Sequence, residues 1–184
     1  MKHFALAALY TATLALANPG LADVSAARDA ASGEMRKLSF SVEPLPIDAG
    51  AFTDFEGAPM TLDQSNGKWR VVNFWATWCP SCRHEMPSLS RLQSELGSED
   101  FEVITIATAR SAPQKMKPFF DQIGVENLPL YRDPGSKLSR QLGVLGLPVT
   151  LIVDPEGREV ARLTGDADWA SDEVKAVMRA LMEE

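Results

Sequence analysis

Cysteine is scarce in this chain: two in 184 residues, both within one tetrapeptide. That is too few for a disulfide-dense scaffold, or for a four-cysteine zinc or cluster site. A basic run is missing as well. Eighteen Lys and Arg stand against 25 Asp and Glu, a formal net charge of −7. A face for duplex DNA needs clustered cations, so nucleic acid is not an expected partner. Twelve glycines and twelve prolines follow no period, which excludes collagen-like and solenoid architectures. The mean hydropathy of −0.10 excludes a polytopic membrane protein. What is present is globular: 45% hydrophobic and 23% charged residues, a composition able to bury a core.

The N-terminus reads Met1-Lys2-His3, an apolar run from Phe4 to Ala17, and then Asn18-Pro19-Gly20-Leu21-Ala22. A short basic region, an apolar stretch and small residues beyond a Pro-Gly break predict a signal peptide over 1–22, cleaved after Ala22. The run falls short of the roughly 20 residues that span a bilayer, although an uncleaved anchor is the alternative. No cysteine follows it, so a lipoprotein is excluded. Residues 23–50 read as an N-terminal extension with some helical pattern over Ala26–Leu38, and residues 51–184 as one domain.

Within that domain, Pro59–Leu62 and Trp69–Ala76 are strand-like runs joined by the turn signal Ser65-Asn66-Gly67. Pro80–Leu96 predicts a helix with Met86, Leu89, Leu92 and Leu96 on one face and Gly97 as its C-cap. Phe101–Thr108 is a buried strand, Pro113–Ile123 a helix, Leu128–Tyr131 a short strand and Lys137–Leu142 a short helix. Val149–Asp154 and Arg158–Leu163 form a hairpin, and Ser171–Met182 closes the chain as a helix. Alternating strands and helices predict an α/β domain around a mixed sheet.

Trp78-Cys79-Pro80-Ser81-Cys82 falls where a buried strand ends and a helix begins. The spacing lets the two sulfurs meet across one helical turn. Free backbone N–H groups at the helix N-terminus stabilise a thiolate at Cys79, while Cys82, one turn in, is the more buried thiol. This assigns Cys79 as the attacking sulfur and Cys82 as the resolving one. Pro80 suits the first helical turn because it has no donor to lose. A merely structural disulfide closing so short a loop stabilises little. Glu85, three residues past Cys82, continues the same helix side and is a candidate proton acceptor; a surface glutamate is the plain alternative. His84 reads as a solvated neighbour. Trp75 reads as core and Trp78 as part of a docking surface. Pro148, at the start of a strand, is either an ordinary trans proline or a cis one that sets the Leu147 backbone against the cysteines, where a client peptide can pair with it.

Val72–Pro87 resembles the active-site segment of the thioredoxin-like TlpA/ResA/CcmG group of extracytoplasmic thiol–disulfide oxidoreductases. The likeness runs from about Phe52 to the C-terminus and includes Gly146-Leu147-Pro148 and Asp154-Pro155-Glu156-Gly157. It implies a thioredoxin-like fold with an N-terminal β-hairpin and a TlpA-type inserted helix. It also implies Cys79 and Cys82 as the redox pair, Glu85 as the active-site acid and Pro148 as a cis-proline facing the disulfide. Two departures matter. Asn73 stands where thioredoxin has a buried aspartate, and Leu147-Pro148-Val149 replaces the Ala-Pro-Glu of the cytochrome-maturation member. The function implied is periplasmic reduction of disulfides in exported clients, apocytochrome c or copper-site proteins, with electrons from a membrane donor of the DsbD/CcdA kind. No cofactor or metal is implied. The rivals are a disulfide-forming oxidant of the same fold, a copper chaperone, and a thiol peroxidase, for which Thr77 is misplaced relative to Cys79.

Overall fold

The computed structural model describes residues 24–47, 50–108 and 110–183; the expected signal peptide lies outside them. In chain order the elements are α1 (Ser25–Ala30), a 3₁₀ turn (Gly33–Lys37), β1 (Ser39–Pro46), β2 (Ala51–Thr53), β3 (Pro59–Thr61) and a second 3₁₀ turn (Leu62–Ser65). Then come β4 (Trp69–Trp75), α2 (Pro80–Leu96), β5 (Phe101–Thr108), α3 (Pro113–Ile123) and β6 (Tyr131–Asp133). The chain closes with α4 (Lys137–Gln141), β7 (Val149–Val153), β8 (Arg158–Thr164) and α5 (Asp172–Met182). Eight strands form one mixed sheet in the order β1-β8-β7-β4-β5-β6-β2-β3, flanked by helices: an α/β, thioredoxin-like arrangement. Among the described residues no helix is long and apolar enough to cross a membrane.

The centre of the sheet is β4, parallel to β5 and antiparallel to β7. All seven of its residues are buried, as a strand covered on both faces requires. Side chains alternate across a strand. Trp69, Val71 and Trp75 therefore join the core layer that holds α1, α2, α3 and α5, while Val72 and Phe74 join Phe52, Leu62 and Leu138 on the other face. Asn73 has the parity of the α2 side. Because α2 follows β4 directly, its N-terminus stands at the carboxyl end of the central parallel strands, where α/β sheets generally place their sites.

The segment expected to be an extension carries α1 and β1. β1 pairs antiparallel with β8, α1 packs on α5, and Ala27 and Met35 are buried in the main core. The N-terminal hairpin also differs from expectation. β3 pairs with β2, Ala51 opposite Thr61, at the far edge of the sheet, and not with Trp69–Ala76. The reason is local: after β3 the chain winds into a 3₁₀ turn, with Thr61 N–H donating to Gln64. The buried Arg70 guanidinium then ties Leu62 O and Asn66 Oδ1 to Asp154 O, which anchors the crossing from edge to centre.

Smaller shifts have equally plain causes. β6 starts at Tyr131, not Leu128, because Pro129 has no N–H to give a ladder. Gly97 does follow α2, but with φ −54 it is not left-handed. A Cβ there would collide with the carbonyl and side chain of Gln93, so close approach explains the glycine.

Candidate active site

Cys79 is the N-cap of α2 and Pro80 its first residue. The two sulfurs are joined, S–S 2.04 Å, across 5.3 Å between α-carbons. Cys82 N–H donates to Cys79 Sγ at 3.2 Å, and Ser81 Oγ lies 3.6 Å from the same sulfur. Both cysteines are buried in this disulfide form, but unequally: Cys79 keeps 4% exposure and Cys82 none. The aromatic residue before them is open, with Trp78 58% exposed, and Pro80 beside it is exposed too. Trp75 is core, packed against Phe119 and Phe120.

One helical turn past Cys82, Glu85 is only 1% exposed. Three groups donate to its carboxylate: Asn73 Nδ2 to Oε1 at 2.8 Å, Trp169 Nε1 to Oε2 at 3.0 Å, and the Ala167 backbone. Burial outweighs them. It penalises the charged form and lifts the carboxyl from 4.5 to about 7, with the negative charge of Asp166 adding to the rise. Asn73 is itself locked, its second N–H donating to Thr150 Oγ1 at 2.9 Å from the register partner on β7. Its Oδ1 is buried without a partner among the described residues. Ser88 Oγ donates to Glu85 O at 2.7 Å and accepts from the Trp169 backbone N–H at 3.0 Å, which ties the main chain that carries the indole to α2. His84 is solvated, 3.8 Å from Asp166.

The loop before β7 completes the neighbourhood. The Leu147–Pro148 peptide bond is cis. Pro148 is buried and its carbonyl accepts from Gly165 N–H at 2.9 Å. Leu147, half-buried, makes no main-chain hydrogen bond among the described residues. Trp78 and Leu147 line one cavity of about 210 Å³, so this loop sits beside the cysteine motif.

The model of the AhpC/TSA family matches residues 40–160. The chain belongs to that family. Among relatives of this AhpC/TSA member, the thiol:disulfide interchange protein HelX of Rhodobacter capsulatus is 35% identical over 67% of this chain and 63% of its own length. The thiol-disulfide oxidoreductase ResA of Bacillus anthracis is 32% identical over 62% of this chain and 65% of its own. The chain thus spans a little under two thirds of the length of these curated relatives. A thioredoxin-family thiol:disulfide interchange protein from Chlorobium tepidum has a TM-score of 0.62 at 26% identity, covering 77% of this chain and 99% of that one. A secreted thiol-disulfide isomerase from Corynebacterium glutamicum superposes with a TM-score of 0.68, at 18% identity over 79% of this chain and 92% of that one, a likeness of fold alone.

Three participants in this AhpC/TSA site have no local sequence signal. Trp169 lies 84 residues from Glu85 in a loop that follows no helical or strand period. Thr150 is an ordinary strand residue, and Ser88 an ordinary helix residue. Register and packing alone bring Trp169 to the carboxylate, Thr150 to Asn73, and Ser88 to the Glu85 and Trp169 main chain.

Proposed function

We propose that this protein is a thiol–disulfide oxidoreductase that reduces disulfides of exported proteins outside the cytosolic membrane. The observation that carries the reading is a buried carboxyl, balanced near neutral pH, one turn behind a cysteine pair at a helix N-terminus. The names of its HelX and ResA relatives support the same chemistry, and the signal-like residues 1–22 support export.

In the reduced form the N-terminal end of α2 favours a thiolate at Cys79, the less buried of the two cysteines. That thiolate attacks one sulfur of the client disulfide. A Cys79–client bond forms, and the other client sulfur leaves as a thiolate that takes a proton from water. Cys82 then loses its proton and attacks Cys79 Sγ, expelling the second client thiolate. The products are the Cys79–Cys82 disulfide and a client dithiol, two electrons having moved to the client. Glu85 is the base for the second step. With a pKa of about 7 it is ionised often enough to accept the Cys82 proton and protonated often enough to return it when the pair is reduced again. Trp78, Pro80 and Leu147 form the docking edge; Pro148, expected there too, is buried and instead shapes the loop, and the main chain of Leu147, unpaired among the described residues, offers an extended client one strand-like pairing.

The reductant direction is tested by its potential. A value near that of thioredoxin, about −270 mV, lies roughly 150 mV below the oxidant DsbA, about 7 kcal/mol for two electrons. A membrane electron donor must then keep the pair reduced, and the clients are exported proteins such as apocytochrome c or copper-site proteins. Equilibration with glutathione and dithiothreitol buffers measures the potential. A value near −120 mV would reverse the assignment to a disulfide-forming oxidant.

A further inference from the structure

Among the described residues four large hydrophobic side chains are conspicuously exposed. Val42 and Leu45 lie on the edge strand β1; the other two, Trp78 and Leu145 (96% exposed), flank one cavity beside the cysteine motif. Its volume is about 210 Å³. That is below the roughly 300–1,000 Å³ of pockets that enclose a small-molecule ligand. It suits one side chain. The apolar wall is Trp78, Val144, Leu145 and Leu147; the polar lining includes the buried Ser139 and, at the rim, the exposed Arg140. Ser139 is committed to Asp133, which also accepts from the first N–H groups of α4 and so holds in place the helix that carries Arg140. Arg140 is exposed and makes no ion pair among the described residues, although the chain as a whole is strongly acidic.

We propose that this cavity is a specificity subsite for the client: it takes a bulky apolar side chain within two residues of the client cysteine, while Arg140 pairs with a client carboxylate at the rim. The proposal rests on the reading of Cys79–Cys82 as the redox pair and adds the class of peptide that pair meets. The main chain of Leu147 is free to hold an extended peptide, which sets consecutive client residues about 3.3 Å apart along the loop. A side chain near the client cysteine is then within reach of the space between Trp78 and Leu145. An exposed arginine with no acidic partner favours an acidic client residue over a basic one by charge complementarity.

The test uses the full reduced protein and three short peptides joined through one cysteine by a disulfide. One carries Leu and Asp beside the cysteine, one Ser and Asp, one Leu and Lys. Oxidised glutathione serves as a small disulfide with no side chain to seat. Wild-type protein should reduce the Leu–Asp peptide about tenfold faster than the Ser–Asp peptide, the discrimination expected of a small apolar pocket. Leu145→Ser should lower the ratio of the Leu–Asp rate to the glutathione rate by about the same factor. Arg140→Glu should invert the preference between Asp and Lys peptides, by a few-fold that shrinks with added salt. Normal reduction of glutathione with a flat peptide series overturns the subsite alone. No reduction of any disulfide overturns both the subsite and the redox reading. A concentration-dependent dimer that Leu145→Ser abolishes also overturns the proposal, since the patch would then be an interface between copies.

Discussion

Glu85→Gln isolates the energetics of the buried carboxyl. In the unfolded chain the group titrates near 4.5; folded, burial lifts it to about 7. Between those values the native state binds more protons than the unfolded state, so stability falls as pH rises. The favourable difference is fully present below 4.5 and is lost as pH passes through about 7. At 1.36 kcal/mol for each unit of pKa, the complete loss is about 3 kcal/mol. Gln cannot ionise, so the variant lacks this component while every other titrating group remains. The assay is urea unfolding of the oxidised protein from pH 4 to pH 9, wild type against variant. The difference in unfolding free energy should move by about 3 kcal/mol across the range, turning in favour of the variant as pH rises. Two parallel curves would refute the reasoning, because they would mean that Glu85 ionises in the fold as it does in water.

Alkylation of the reduced protein below pH 7 should label Cys79 before Cys82, read by mass spectrometry of tryptic peptides; equal labelling would remove the assignment of roles. Trp169→Phe deletes one donor to the carboxylate, a bond of about 1.5–3 kcal/mol, and should move the pH–rate profile of client reduction upward by about one to two units. A uniform loss of stability with an unshifted profile would make the indole a packing residue only. Asp133→Ala strips partners from Lys137 N–H, Ser139 N–H and Ser139 Oγ and should cost about 2–4 kcal/mol in urea unfolding. A chain beginning at residue 51 lacks β1 and the α1 cover of α5, and should fail to show a cooperative unfolding transition; a sharp transition would show that this segment is dispensable.

The placing of the cysteine pair at a helix N-terminus was legible in the sequence because it is set locally. Two cysteines three apart, a proline between them, a preceding apolar strand and a following amphipathic period are all that is needed to set one sulfur at a helix N-terminus and the other a turn inside. The helical faces of α2 and α5 and the hairpin of β7 and β8 were legible for the same reason, since the alternation of burial along an element is written in its own residues. The N-terminal segment was not. Residues 25–46 are short, mixed in polarity and without a strong period, and they become core only because α5 and β8 offer them a surface to cover. The hairpin was misplaced by the same blindness: Asn66-Gly67 marks a turn, but nothing near it says that β3 goes to the edge of the sheet and β4 to its centre. Glu85 shows the division most clearly. Its position on the side of the helix that carries the cysteines follows from spacing alone. Its burial, which raises its pKa, and the donors that oppose that rise, Asn73 (itself held by Thr150 of β7) and Trp169, come from β4 and the loop before α5 and are not written in the helix. A local pattern specifies which face of a helix turns inward. What covers that face is set by contacts up to 84 residues apart, and those form only when the whole sheet closes.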